Sequence, residues 1–380
     1  MPDATEATYE SRPPAFEEAT PGEWNDWHWQ QRHRVRSVEE LEGLLQPEET
    51  ERRAFAACED EFRVAVTPYY ATLIDAEDPE CPIRRQALPR MRELEVEPFE
   101  LEDPLAEESH MPVPGVTHRY PDRVLFYVTH NCPVYCRHCT RKRKVSDPST
   151  AASRDQLEQG LAYIEETPQV RDVLLSGGDP LTLSDERLGE ILGRLDAVEH
   201  LEVLRIGTRN PVTLPQRITE EFCEMLGEFS PIYLNTHFNH PRELTPEAER
   251  ALGRLLDAGC VLGNQMVLLR GVNDDPETVM RLNRRLLAAG CRPYYILQCD
   301  MARGITHFRT SLERGLEIMD HLRGRIAGMG VPDFVVDLPG GGGKVELVPD
   351  YIQERREGGE VEEVVFRNWA GETFTFADLV

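Results

Sequence analysis

From residue 124 onward the chain repeats one pattern six times: a short apolar, β-branched run, then an amphipathic stretch of helical length. The runs are VLFYV (124–128), DVLLS (172–176), EVLRIG (202–207), IYLNTH (232–237), QMVLL (265–269) and YYILQ (294–298). The helical stretches are 154–165, 185–197, 218–229, 245–258, 276–289 and 312–327. Strands separated by helices of that length are joined by crossovers, and crossovers make neighbouring strands parallel. Six such units predict an α/β fold, a full or partial (β/α)6-type barrel over residues 116–344. In barrels of this kind the chemistry gathers at the C-terminal ends of the strands. Residues 1–115 read as an N-terminal helical region and linker. Within it SVEELEGLL is a helix capped by Ser37 with Glu40 three residues on, and 97–122, rich in Pro and acid, is a connecting segment. Residues 345–380 read as a small C-terminal β element with a Gly-containing hairpin.

The strand-end rule has immediate use, because VLFYV leads into CPVYCRHC (132–139), DVLLS into GGDPL, and YYILQ into Cys299-Asp300. Nine cysteines, an odd count at scattered spacing, do not make a secreted disulfide framework. Six of them sit singly in mostly apolar segments, as small buried hydrophobes do. Cys132, Cys136 and Cys139 stand apart. A structural zinc site usually takes four ligands, commonly as two pairs, and here a fourth would have to come from far away. Three thiolates can instead hold three irons of a [4Fe–4S] cluster and leave the fourth iron open to a small molecule.

The charge is lopsided, 68 acidic against 42 basic residues for a net −26. An acidic surface repels nucleic acid and anionic membrane. No apolar run approaches the roughly 20 residues of a membrane span, and MPDATEATYE lacks the basic and apolar regions of a secretory signal. A cytoplasmic protein is the expectation. Only Lys142, Lys144 and Lys344 are lysines. Scarce lysine with abundant acid suits a halophilic surface that stays soluble in salt, and a codon bias toward arginine gives the same composition. Either way, a retained lysine is a candidate for work that arginine cannot do. Lys344 closes DLPGGGGK (337–344), where four glycines offer backbone N–H groups to a phosphate. The spacing is not that of a P-loop. A lysine amine can condense with the aldehyde of pyridoxal phosphate, which a guanidinium cannot.

Cysteines in this Cx3Cx2C spacing after a barrel's first strand resemble the radical S-adenosylmethionine enzymes. Joined to a pyridoxal-binding lysine, they make the chain similar to the lysine 2,3-aminomutase family. The likeness runs from WNDWHWQ near residue 24 to about residue 370, through THRYPDRVLF, CRHCTRK, SGGDPL, RIGTRNPV, LPQRIT, NTHFNHP, LGNQMVLLRGVND, RPYYILQCD, HFRT and FVVDLPGGGGK. The resemblance implies an isomerase that moves an amino group from the α to the β carbon of L-lysine. It would use a [4Fe–4S] cluster, S-adenosylmethionine and pyridoxal 5'-phosphate, with a 5'-deoxyadenosyl radical abstracting hydrogen.

Carried over residue by residue, Cys132, Cys136 and Cys139 would ligate the cluster, and Gly177, Gly178 and Asp179 would hold the methionyl amino group. His138 and Gln265 would belong to the adenosylmethionine pocket. Lys344 would carry pyridoxal phosphate, contacted by Arg119, Tyr120 and Arg123. Arg141 would pair with the substrate carboxylate through its planar fork, and Asp300 and Asp337 with the far amine. A carboxylate pair of this kind needs a cation, which excludes glutamate more readily than arginine. A non-mutase iron–sulfur protein is the alternative from another class. The implied partners are L-lysine, a flavodoxin- or ferredoxin-like one-electron reductant, and a second copy of the chain. Asp275 stands where some relatives place a zinc-binding cysteine and no cysteine follows Cys299, so zinc bridging between subunits is not expected. Leu297 stands where relatives commonly carry tyrosine.

Overall fold

A computed structural model describes residues 11–58, 62–145, 153–356 and 361–379. Nine strands form one sheet in sequence order: β1 (Val116–Tyr120), β2 (Arg123–Thr129), β3 (Asp172–Gly177), β4 (Val203–Gly207), β5 (Ile232–Thr236), β6 (Val261–Leu268), β7 (Arg292–Gln298), β8 (Asp333–Leu338) and β9 (Gly343–Glu346). Neighbours from β2 to β8 pair in parallel, whereas β1 and β9 add to the two edges antiparallel. The sheet is therefore a partial barrel, one of the two forms expected, with β8 as a parallel strand beyond the six repeats.

Six crossover helices join the parallel strands: α1 (Arg154–Glu165), α2 (Asp185–Asp196), α3 (Glu220–Gly227), α4 (Pro246–Asp257), α5 (Pro276–Ala288) and α6 (Leu312–Leu322). Each begins at a Ser, Thr or Asp whose side chain accepts the backbone N–H three residues on: Ser153, Ser184, Thr219, Thr245, Asp275 and Ser311. Such a cap satisfies one of the four N–H groups a helix start leaves unpaired, and contributes about 1 kcal/mol. Asp275 thus has a local task, capping α5.

Strand alternation separates core from site. Val124, Phe126 and Val128 of β2, Val173 and Leu175 of β3, and Leu262, Met266 and Leu268 of β6 lie in the main apolar cluster with the helices. The intervening residues, Tyr127, Ser176 and Gln265 among them, consequently face the other way, into the barrel. Gly160 of α1 lies flat on Phe126, and Gly315 of α6 on Phe334; a Cβ at either would run into the ring.

The N-terminal helices include Pro21–Asn25, Trp27–Arg32, Val38–Glu42, Glu49–Cys58, Pro68–Ala71 and Pro82–Ala87. Ser37 and Glu40 form the expected reciprocal capping box. Buried Tyr69, Tyr70 and Gln86 of this region bond to barrel residues Thr245 and Glu243, so it is packed onto the barrel. The tail forms a three-stranded antiparallel sheet, β10 (Ile352–Arg356), β11 (Val361–Arg367) and β12 (Thr373–Leu379). Its Gly-containing hairpin joins β11 to β12, with Gly371 at φ +82°.

One expectation about elements needs correction, and two strands go beyond those read from the sequence. The end of the supposed connector 97–122 is β1, whose Val116 and Thr117 pair with Phe126 and Leu125. The run before the glycines adds β8, and Lys344 lies in β9, opposite Asp337. Edge strands this short, beside Gly and Pro, carry too little periodicity to be read locally, and pairing with the sheet decides them.

Candidate active site

The site occupies the C-terminal ends of the parallel strands. At one side the chain leaves β2 and makes the loop carrying the three cysteines, all with free, half-buried thiols. Burial, then the nearby Asp179 and the other two cysteines, pushes the Cys132 thiol well up; burial and Cys136 push Cys139 up to about 11. Thiolates set this close repel one another, and a cationic centre shared among them offsets the charge that the loop brings together. Among the described residues no three such side chains converge on a single ion, as ligands of separate irons need not. Arg209 Nη1 donates to Cys136 Sγ at 2.8 Å, and the backbone N–H of Arg141 donates to Cys139 Sγ at 3.3 Å. The donor set fits a cluster.

The glycines after β3 lie against the approach to the cysteines. Gly177 has φ +120°, and a Cβ there would strike the Thr129 carbonyl; one on Gly178 would strike the Asn131 carbonyl. The backbone N–H groups of Gly178 and Asp179 are already given to Thr129 and Asn131 at 2.7 and 2.8 Å. The Asp179 side chain is buried and turned into the fold, accepting from Leu181 N, Thr208 Oγ1 and Arg209 N. Burial pushes its carboxyl up against those bonds. In this geometry Asp179 anchors the loop, and backbone is what Gly177 and Gly178 offer a ligand. His138 is buried with Nδ1 unpartnered, and burial, then Arg209, holds its imidazole neutral. Gln265 is half-buried on the inner face of β6.

On the opposite side β1, the first residue of β2, β8 and β9 bring the expected pyridoxal residues together. Tyr120 accepts the Lys344 backbone N–H at 3.0 Å, and the Arg119 and Arg123 guanidinium groups lie 5.1 and 4.1 Å from its ring centre. Two cations beside a run of glycines fit a phosphate. Lys344 Nζ donates to Asp337 Oδ2 at 2.5 Å, and Arg119 Nη2 lies 3.2 Å from the same carboxylate.

At the ends of β7 and β8 a cavity of about 290 Å³ is lined by Asp300, Asp337, Arg309, Pro104 and Val336, among others. Burial and then the neighbouring Asp337 push the Asp300 carboxyl up to about 7, against the pull of Lys344 and Arg309. Arg141 holds Glu107 side-on, with Nη2 to Oε1 at 2.6 Å and Nε to Oε1 at 3.0 Å. Burial would raise Glu107, but Arg141 and Tyr127 overcome it and hold the carboxyl at about 2. This side-on pairing leaves the outer Nη1 edge of Arg141 near Ser176 Oγ and Gly177 O, at 3.4 and 3.5 Å.

Sequence reasoning missed Glu107, Arg209 and Glu243. Arg209 sits in the stretch RIGTRNPV, where a cation after a strand was the available signal; Glu107 is one of many acids in its segment and had none. Lys142 proved structural, bonded with Arg137 to buried Glu93.

A parallel partial barrel with three thiols after its first parallel strand and a glycine cradle after the next defines a radical S-adenosylmethionine enzyme. The model of the radical SAM superfamily matches residues 126–282, and that of lysine-2,3-aminomutase residues 319–378. The chain is 48% identical over 371 residues to the L-lysine 2,3-aminomutase of Fusobacterium nucleatum, covering 98% of this chain and 86% of that one. It is also 48% identical to the Clostridium subterminale enzyme of the same name, covering 96% and 87%. A glutamate 2,3-aminomutase of Clostridioides difficile is 42% identical, covering 94% and 84%. The chain belongs to the lysine 2,3-aminomutase family, isomerases that work with a [4Fe–4S] cluster, S-adenosylmethionine and pyridoxal 5'-phosphate.

Proposed function

We propose that this chain converts L-lysine to β-lysine, moving the amino group from the α to the β carbon. The observation that carries the reading is the carboxylate pair of Asp300 and Asp337 in one cavity beside Lys344. Asp337 is already paired with Lys344 and Arg119, whereas burial and Asp337 disfavour the Asp300 anion, and the side-chain ammonium of lysine supplies the charge that favours it. Glutamate, substrate of one relative, would add a third carboxylate.

The residues divide the work. Cys132, Cys136 and Cys139 would hold the cluster, the Gly177–Gly178 backbone and His138 the adenosylmethionine, and Lys344, Arg119, Tyr120 and Arg123 the pyridoxal phosphate. When bound, these groups supply a carbon radical that takes and returns one hydrogen, and a carbonyl that carries the migrating nitrogen. The Nη1 edge of Arg141 takes the substrate carboxylate in place of its long bonds to Ser176 and Gly177, while Asp300 and Asp337 take the far ammonium. A substrate held at both ends presents one β C–H bond repeatedly, which is how orientation lowers a barrier. Asp337 also accepts from Lys344 Nζ, so the substrate ammonium would compete with Lys344 for that carboxylate. A flavodoxin- or ferredoxin-like reductant in the cytoplasm would supply the electron. Among the described residues no helix is long and apolar enough to cross a membrane.

The test is an anaerobic assay of reconstituted protein with lysine, adenosylmethionine, pyridoxal phosphate and dithionite, with β-lysine followed by chromatography and glutamate and arginine run in parallel. β-Lysine should form, and should be lost in Lys344→Ala and Cys136→Ala. Adenosylmethionine cleavage without β-lysine would leave the radical chemistry standing and overturn the substrate.

A further inference from the structure

Arg209 is a buried cation that the reaction as described does not use. It follows β4 and stands 8% exposed, with every side-chain nitrogen engaged. Nη1 donates to Cys136 Sγ at 2.8 Å and Nε to the His237 carbonyl at 3.1 Å. Nη2 meets Gln86 Oε1 at 2.6 Å, Glu243 Oε1 at 2.7 Å and Tyr70 Oη at 3.2 Å. The arrangement is directional, with sulfur on one side of the guanidinium and the carboxylate on the other. Glu243 does not depend on Arg209 for its place. Backbone N–H groups of Asn239 and His240 reach its Oε2 at 2.6 and 2.9 Å, and Tyr70 Oη and Gln86 Nε2 reach its Oε1 at 2.7 and 3.1 Å.

We propose that Arg209 tunes the reduction potential of the cluster through Cys136, and that Glu243 behind it limits the effect. The proposal rests on the reading that Cys136 is a cluster ligand. Reduction adds one electron, supplied by the reductant, to iron and sulfur atoms whose negative charge spreads onto the ligating thiolates. A hydrogen bond to sulfur and a cation beside it both favour the reduced state, and so raise the potential. The desolvated setting of Arg209 strengthens that interaction relative to one in water. An anion on the far side of the guanidinium acts in the opposite sense.

The two charges therefore make opposite predictions, which a merely structural pair does not. The full chain, reconstituted with iron and sulfide and free of adenosylmethionine and substrate, is titrated with dithionite and mediators while the reduced cluster is followed by electron paramagnetic resonance. Arg209→Gln should lower the ratio of reduced to oxidised cluster at fixed potential about tenfold, a shift of about 59 mV for one electron. Glu243→Gln, nearly isosteric, should shift the potential the other way, and Arg209→Lys should fall between wild type and Arg209→Gln. Shifts in the same direction, or none at wild-type iron content, overturn the proposal. If Arg209→Gln does not retain the cluster, the upward shift of Glu243→Gln alone decides. Wild-type iron and signal in Cys136→Ala would instead show that the ligand reading had failed.

Discussion

Asp300 gives the most demanding prediction. Its carboxyl is pushed up to about 7 by burial and by Asp337, from an ordinary value near 3.8. A shift of about three units is roughly 4 kcal/mol of differential interaction between protonated and ionised forms. In the substrate-free protein Asp300 is therefore about half protonated at neutral pH. Lysine brings an ammonium that stays charged throughout, its unperturbed pKa being about 10.4, and it pairs with the ionised form only. Below pH 7 a proton has to leave before binding, so Asp300 should weaken lysine binding progressively, approaching tenfold per pH unit well below that value. The α-amino group must also lose a proton to react with pyridoxal phosphate, a dependence common to wild type and mutant. Asp300→Asn removes the first effect and keeps the second. The ratio of KM for Asp300→Asn to KM for wild type should thus be largest near pH 8 and shrink about tenfold between pH 8 and pH 6. The stability sign follows from the same shift. Since the folded pKa is raised, the folded form binds the proton more tightly between pH 4 and 7, and substrate-free wild type should lose stability relative to Asp300→Asn as pH rises through that window. A KM ratio that stays constant from pH 6 to 8 would refute the coupling of Asp300 to the substrate ammonium.

Three further outcomes are expected. Lys344→Ala should lose the long-wavelength pyridoxal absorbance while keeping its iron; an unchanged spectrum would assign the lysine elsewhere. Glu107→Ala leaves the Arg141 guanidinium buried beside Tyr127 without its anion, and should cost about 3–5 kcal/mol by denaturant unfolding. Because the folded Glu107 value is lowered to about 2, that contribution is present above about pH 4.5 and is lost as pH falls toward 2; a difference between the proteins that persists at pH 2 would argue against the ion pair. Gly178→Ala would push a Cβ into the Asn131 carbonyl, backbone that cannot turn aside, and should raise the dissociation constant for adenosylmethionine by tenfold or more in equilibrium dialysis.

By itself the sequence determined the repeating part of the fold. Period-two runs, period-3.6 stretches and the capping residues Ser153, Ser184, Thr219, Thr245, Asp275 and Ser311 are local properties, set by torsions and hydrogen bonds within a few residues. The three cysteines and Lys344 were legible for a similar reason, because close spacing and scarcity mark them within the chain itself. Tertiary structure decided the rest. β1 and β9 are strands because a sheet edge offers them partners, not because Val116–Tyr120 or Gly343–Glu346 has a strong preference. Glu107 sits 34 residues from Arg141, and Glu243 the same distance from Arg209; nothing in either neighbourhood marks these acids among 68. Asp179 was readable as a residue of the site, but which way its carboxylate turns depended on Thr208 and the Arg209 N–H arriving from the next strand. A buried charge is placed by whatever can neutralise it, and its partner here is chosen by how the barrel brings distant strand ends together.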